Sequence, residues 1–130
     1  MPLSTQAAKL FTEIKTLSEH GEFVFQGGHD PKKPMSAAAI NAALKRMGYD
    51  TQKDITSHGF RAMAHTILHE RLNVDPYIIE HQLAHKVPDA LHAAYNRTKF
   101  IEQRTAMMQT WADYLDELKA GAKVIPFKQA

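Results

Sequence analysis

The chain has 130 residues, a net charge of +2 at pH 7 and no cysteine. This length suffices for one domain with its own hydrophobic core, and the lack of cysteine excludes disulfides and thiolate metal sites. No apolar run reaches the roughly 18 residues of a membrane span and no basic leader is present, so we expect a cytoplasmic protein with no membrane partner. The small positive charge permits a nucleic-acid partner without requiring one.

The first half of the chain predicts two helices separated by an extended segment and a loop. Ser4 is a suitable N-cap for a helix that ends near Gly21 and carries an apolar stripe of Ala7, Leu10, Ile14 and Leu17. The apolar run 22–26 indicates either a short strand or a buried extended segment, and the glycines and prolines of 27–34 predict a loop. Ser36 is the predicted cap of a second helix that stops at Gly48, with an inward stripe of Ile40, Ala43, Leu44 and Met47.

The second half predicts further helices. The clearest amphipathic helix starts at Thr56 and carries Phe60, Met63, Ala64, Ile67, Leu68 and Leu72. Asp75 and Pro76 supply the cap and the first position of the next helix, whose expected core contacts are Ile79 and Leu83. A short helix over 89–95 and a long one from Phe100 to Gly121 follow.

These elements predict a mainly α fold with at most minor β structure, in a single domain that covers residues 1–130. The apolar tail within 122–130 has no place in this helical layout. The sequence leaves open whether that tail docks on the same molecule or on a neighbour.

His58 and Arg61 lie three residues apart at the start of the clearest helix, so their side chains project from the same side. Arginine suits phosphate because its planar guanidinium stays charged and can donate two parallel hydrogen bonds to phosphate oxygens. The helix N-terminus is expected to add partial positive charge and free backbone N–H groups. The pair therefore predicts an anion site.

His85 follows the apolar end of the next helix, and Tyr95 lies ten residues later, a distance that one turn and a short helix can fold back. Both side chains are therefore able to reach the anion site. A phenol is a poor nucleophile at neutral pH because its pKa is near 10, so it needs a nearby base or a positive field. His58 is the candidate base, and Arg61 with His85 would stabilise charge on the phosphate.

In this order and spacing the four residues resemble the second half of the active site of the tyrosine recombinases, in particular the prophage integrase branch. The shared motifs are the His-x-x-Arg pair His58 and Arg61, a Leu-Ala-His that ends in His85, and Tyr95 ten residues on. The resemblance covers nearly the whole chain and implies site-specific DNA recombination without metal, nucleotide or other cofactor. Tyr95 would attack a phosphodiester of the attachment site and form a 3′-phosphotyrosyl bond, and four protomers would assemble for recombination.

Part of the family pattern does not occur in this sequence. The resemblance implies a further arginine and a lysine that protonates the leaving oxygen, and both belong upstream of the region that corresponds to Pro2. We therefore expect the chain to be the C-terminal part of an integrase catalytic domain and to be nearly inactive on its own.

Two alternatives stay open at the level of sequence. A non-catalytic helical module for DNA binding or dimerisation fits the missing residues and the apolar tail. The i, i+4 pairs His65/His69 and His81/His85 suit Zn²⁺ or Ni²⁺, which would make the chain a histidine-rich metal-binding protein. The segment after His65 lacks the glutamate of a metalloprotease helix and no third carboxylate ligand is evident, so we expect no metal site.

Overall fold

The computed structural model describes residues 1–18, 21–83 and 100–121. Within these ranges it contains five α-helices and one π-helical turn: α1 Thr5–Leu17, α2 Ala39–Arg46, α3 Gly59–Thr66, the π turn Ile67–Arg71, α4 Pro76–Gln82 and α5 Ile101–Lys119. The predicted mainly α fold with at most minor β structure is confirmed. None of these helices combines the length and the apolar character that crossing a membrane requires. The short helix predicted over 89–95 and the tail 122–130 lie outside the described residues.

Two predicted N-caps form as local side-chain chemistry requires. The hydroxyl of Ser4 accepts a hydrogen bond from the N–H of Ala7 at 3.2 Å, at the start of α1. The carboxylate of Asp75 accepts one from the N–H of Tyr77 at 2.8 Å, and Pro76 occupies the first position of α4. Each cap satisfies a backbone donor that has no partner within its helix.

The predicted Ser36 cap is wrong, because α2 starts only at Ala39 after a turn closed by a backbone hydrogen bond from Ala39 to the carbonyl of Ser36. The predicted glycine stops are confirmed for α2 and α5. Gly48 and Gly121 follow these helices with φ values of +93° and +76°, a left-handed conformation that suits glycine. By contrast, α1 ends at Leu17, four residues before the expected Gly21.

The segment 22–26 forms neither a regular strand nor a buried run. Its one pairing in the described structure is an isolated antiparallel bridge between Gln26 and Pro34. The flanking hydrogen bonds run from the N–H of Met35 to the carbonyl of Phe25 and from the N–H of Gly27 to the carbonyl of Lys33. Phe25 is 46% exposed, so the buried alternative for this segment is wrong.

The α-helix that begins at Gly59 continues as a π-helical turn before it ends. The N–H of Leu72 donates to the carbonyl of Ile67 at 3.0 Å, five residues back, which is the hydrogen-bond pattern of a π-helix. Asn73 then adopts a left-handed φ of +51°, and the N–H of Val74 bonds to the carbonyl of Leu68 at 2.9 Å. This ending turns the chain into α4.

The core lies where the π turn, α4 and α5 meet. Its buried centre consists of Leu68, Ile79 and Met107, and partly buried apolar side chains surround it. The predicted inward contacts of Leu68, Ile79 and Leu83 are confirmed, since Leu83 also packs against this cluster.

The predicted inward stripes of α1, α2 and early α3 are only partly covered. Leu44 is buried, but several other stripe residues are at least 40% exposed: Leu10, Leu17, Ile40, Met47, Phe60 and Met63. The physical reason is that periodicity identifies the apolar face of a helix but not the element that covers it. Hydrogen bonds between side chains join α1 to α5, with Gln6 Nε2 donating to Asp113 Oδ1 at 2.8 Å and to Asp116 Oδ2 at 2.9 Å.

Candidate active site

A tightly bonded turn positions the start of α3. The N–H of Ser57 donates to Asn41 Oδ1 at 2.9 Å, which ties the turn to α2. The N–H of Gly59 donates to Thr56 Oγ1 at 3.0 Å. His58 is the N-cap residue with helical dihedral angles, and its carbonyl accepts from the N–H of Arg61 at 3.0 Å. These contacts give His58 and Arg61 a fixed backbone.

His58 and Arg61 line one open cavity of about 270 Å³. The rest of its lining comes from Ala62, His65 and Thr66. These positions follow an i, i+3, i+4, i+7, i+8 pattern, so the cavity lies along a single face of α3. Arg61 is half-buried and His58 is exposed, which leaves the cavity accessible to a large polyanion.

Two of the backbone N–H groups expected to be free at this helix start have partners. The N–H of Gly59 bonds to the hydroxyl of Thr56, and the N–H of Phe60 bonds to the Thr56 carbonyl at 3.4 Å. For these two donors the expectation is wrong, because the hydroxyl and the carbonyl of Thr56 accept their hydrogen bonds. Neither donor is left for an anion, and the side chains of His58 and Arg61 stay the predicted anion ligands.

A third nitrogen-bearing side chain, His65, lines the same cavity. Its Nε2 lies 2.8 Å from Glu80 Oε1, and the two side chains are 34% and 28% exposed. The contact joins α3 to α4. Sequence reasoning treated His65 only as a metal ligand with His69 and missed its place beside Arg61. The signal was present in the sequence, since residues 58, 61 and 65 have helical spacing.

Metal ligands do not cluster in the described ranges: within them no group of three His, Cys, Asp or Glu side chains is arranged to hold an ion. The contact between His65 and Glu80 gives that imidazole a protein partner. The second predicted pair cannot be assessed because His85 lies outside the described residues. The expected absence of a metal site therefore stays a prediction.

His85 and Tyr95 both fall within 84–99, outside the described residues, so the described structure brings together two of the four predicted side chains. The residues on either side of 84–99 are in direct contact. Arg104 Nε donates to Gln82 Oε1 at 2.8 Å, and the rings of His81 and Phe100 have centroids 5.2 Å apart. The segment that carries His85 and Tyr95 therefore leaves and re-enters the described fold at neighbouring points.

Comparison with known proteins gives a consistent assignment. The family model described as the phage integrase family matches residues 1–102. The chain is similar to the integrase of Enterobacteria phage P4, with 44% identity over 117 residues, which is 89% of this chain and 27% of that protein. It is 43% identical over 121 residues to the prophage integrase IntZ of Escherichia coli K12, covering 93% of this chain and 29% of the relative.

A third relative, the prophage integrase IntA of Escherichia coli K12, is 39% identical over 125 residues, with 96% of this chain and 30% of the relative covered. The chain thus spans less than a third of the length of these curated relatives. No solved structure matches it.

Proposed function

Because the chain belongs to the phage integrase family, we propose that it carries the nucleophile-bearing half of the active site of a site-specific DNA recombinase. The observation that carries this proposal is that His58 and Arg61 line one accessible cavity at the start of α3. A guanidinium beside an imidazole provides the charge and the proton acceptor that phosphoryl transfer to a phenol requires. The partner would be the duplex DNA of an attachment site.

In the proposed reaction, the hydroxyl of Tyr95 attacks the phosphorus of a DNA phosphodiester. The bond from phosphorus to the 5′-oxygen breaks, and a 3′-phosphotyrosyl bond forms. His58 accepts the phenol proton as the nucleophile attacks, while Arg61 and His85 stabilise the negative charge on the non-bridging oxygens. A proton donor outside this chain would protonate the leaving 5′-oxygen. Attack by a 5′-hydroxyl of a partner strand on the phosphotyrosine then reverses these steps.

The residues that flank segment 84–99 are joined by a hydrogen bond. Gln82 closes α4 and Arg104 belongs to the first turn of α5, and their 2.8 Å hydrogen bond holds the two helices together. The two ends of the segment that carries Tyr95 are therefore held next to each other. The proposal requires that segment to bring Tyr95 to a phosphate bound by Arg61.

The proposal also assigns a limited role to the isolated chain. Without the further arginine and lysine of the family pattern, it would fold and contact DNA but cleave it very slowly. In the longer enzyme, four protomers would act together on two attachment sites.

The test uses a chimera in which this chain replaces the matching segment of the phage P4 integrase. Suicide duplexes with the attachment-site sequence of that phage trap a covalent adduct, which is detected on a denaturing gel. We expect the chimera to form the adduct and its Tyr95→Phe variant to form none while binding the same DNA. The isolated chain should give little or no adduct with the same duplex.

Retention of the adduct in Tyr95→Phe would refute the assigned nucleophile. A chimera that binds the duplex and never forms an adduct would favour the alternative of a non-catalytic DNA-binding module. Efficient cleavage by the isolated chain would refute its assigned dependence on residues outside this sequence.

A further inference from the structure

The cavity beside Arg61 holds an imidazole that the proposed reaction does not use. His65 lies one helical turn beyond Arg61 and lines the same cavity. Glu80 fixes its ring from the neighbouring helix at 2.8 Å. A carboxylate that contacts a histidine orients the ring and determines which of its nitrogens carries the proton. His65 is therefore held in a defined position next to the anion site.

The contact with Glu80 determines which nitrogen of the His65 ring can donate a hydrogen bond to a ligand. A carboxylate only accepts hydrogen bonds, so Nε2 of His65 must carry the proton shared with Glu80. Nδ1 is the nitrogen left for a ligand in the cavity. In the neutral ring Nδ1 is an acceptor and offers nothing to a phosphate oxygen, whereas in the imidazolium it is a donor. Contact with a phosphate thus requires the ring to take up a second proton.

The charges around the ring are compatible with that change. The carboxylate of Glu80 on α4 contacts the ring, and its negative charge offsets the repulsion between an imidazolium and the guanidinium of Arg61. His58 lines the same cavity. The adjoining π turn carries the ionisable side chains of His69, Glu70 and Arg71, but none of the three lines the cavity, and Arg71 lies over the ring of Tyr114.

We propose that His65, oriented by Glu80, is a further phosphate-contacting residue of this site and binds a proton when DNA binds. The proposal rests on the proposed function, because it takes the cavity as the place of the DNA phosphate. It predicts that DNA affinity rises as pH falls through the titration range of histidine, partly through this one ring.

The experiment measures the affinity of the 130-residue chain for a short fluorescent DNA duplex by anisotropy. The pH is varied between about 5 and 8, and the salt concentration between about 50 and 200 mM. His65→Gln is compared with His69→Gln, since His69 is an exposed histidine one turn further on that does not line the cavity. A glutamine at position 65 keeps an N–H donor for Glu80 but cannot gain a proton.

The slope of the logarithm of DNA affinity against pH gives the number of protons taken up on binding, and we expect this number to fall by about one in His65→Gln. The slope against the logarithm of salt concentration should become smaller in magnitude by about 0.9 at acidic pH, as for one lost phosphate contact. His69→Gln should match the unmodified chain in both slopes. Equal pH slopes for the two variants would overturn the role of His65 and leave it as a structural link between α3 and α4.

Arg61→Gln separates this outcome from a failure of the proposed function. If Arg61→Gln weakens DNA binding while His65→Gln does not, only the role of His65 fails. If neither variant changes binding, or the chain does not bind the duplex, the cavity is not the DNA site and both proposals fail.

A second measurement does not depend on the variants folding. The ring nitrogens of His65 are observed by ¹⁵N NMR in the unmodified chain, with and without the duplex, near neutral pH. We expect the ¹⁵N chemical shift of Nδ1 to change to that of a protonated ring nitrogen when DNA is added. A ring that stays neutral in the complex would overturn the proposal.

Discussion

Phe100 packs edge-on against Tyr77, with ring centroids 5.7 Å apart, although its own φ of +46° lies in the left-handed region. A left-handed backbone costs a residue with a β-carbon roughly 1–2 kcal/mol. Contacts of its ring with Tyr77 and His81 offset this cost, since aromatic pairs contribute beyond their buried area. Phe100 thereby fixes the point at which the chain that carries Tyr95 re-enters the described fold.

Two substitutions of Phe100 separate the backbone strain from the aromatic packing. Phe100→Ala and Phe100→Gly both remove the ring, but only glycine relieves the strained φ. We expect both to lower the free energy of unfolding, with Phe100→Ala less stable than Phe100→Gly by about 1 kcal/mol. Urea denaturation followed by circular dichroism measures the difference. An alanine variant as stable as the glycine variant would show that the left-handed conformation is not retained in solution.

The small core makes the fold sensitive to a single side chain. Ile79 is fully buried between the π turn and α5, so Ile79→Ala should lower the free energy of unfolding by about 2–5 kcal/mol. Ile40 is 44% exposed on α2, and Ile40→Ala should change stability by about 0.5 kcal/mol or less. Thermal and urea unfolding of both variants provide the comparison. Similar losses for the two would mean that the core is not centred on Ile79.

The contact between α1 and α5 should weaken in acid. Hydrogen bonds from the side-chain amides of Gln6 and Gln109 hold the pKa of Asp113 below its ordinary value of 3.8. A carboxyl with a lowered folded-state pKa stabilises the fold above its unfolded pKa, and this contribution is lost as pH falls through the folded value. We therefore expect the contribution of Asp113 to be complete at neutral pH and to disappear below about pH 4.

Asp113→Asn removes this titration and should flatten the acid side of the stability curve. Urea midpoints measured across that pH range test the effect. Glu102→Gln is the matched control, because it removes a carboxylate from the same helix about three turns away. An acid limb that is equally steep in Asp113→Asn and in the unmodified chain would contradict the assignment.

Local chemistry made part of the fold predictable. The Ser4 and Asp75 caps and the Gly48 stop depend on residues within a few positions of one another, and the structure has them as predicted. The π turn was not predictable because its apolar pattern fits an ordinary helix equally well. The exposure of Leu17 depends on which elements cover the apolar face of α1, which helical spacing does not specify.

In the site, too, features within one helix were predictable from the sequence, and contacts between helices were not. The spacing of His58 and Arg61 on one helix was enough to predict that they face one side. The link from His65 to Glu80 joins residues 15 positions apart on different helices, so only the packing of α3 against α4 could reveal it. From the sequence alone His65 was paired with His69, because residues four positions apart are neighbours on one helix.

The assignment of Arg61 as the phosphate-binding guanidinium predicts a large loss even when the charge is kept. In the phage P4 chimera, Arg61→Lys retains a cation but loses the planar pair of donors, so adduct formation should slow by about 10²-fold. Rates of adduct formation at saturating suicide duplex measure this loss separately from binding. Arg71→Lys is the control, because Arg71 lies over the ring of Tyr114, at 5.4 Å from its centroid, and does not line the cavity. If Arg61→Lys reacts as fast as Arg71→Lys, the guanidinium does not contact the phosphate in the transition state.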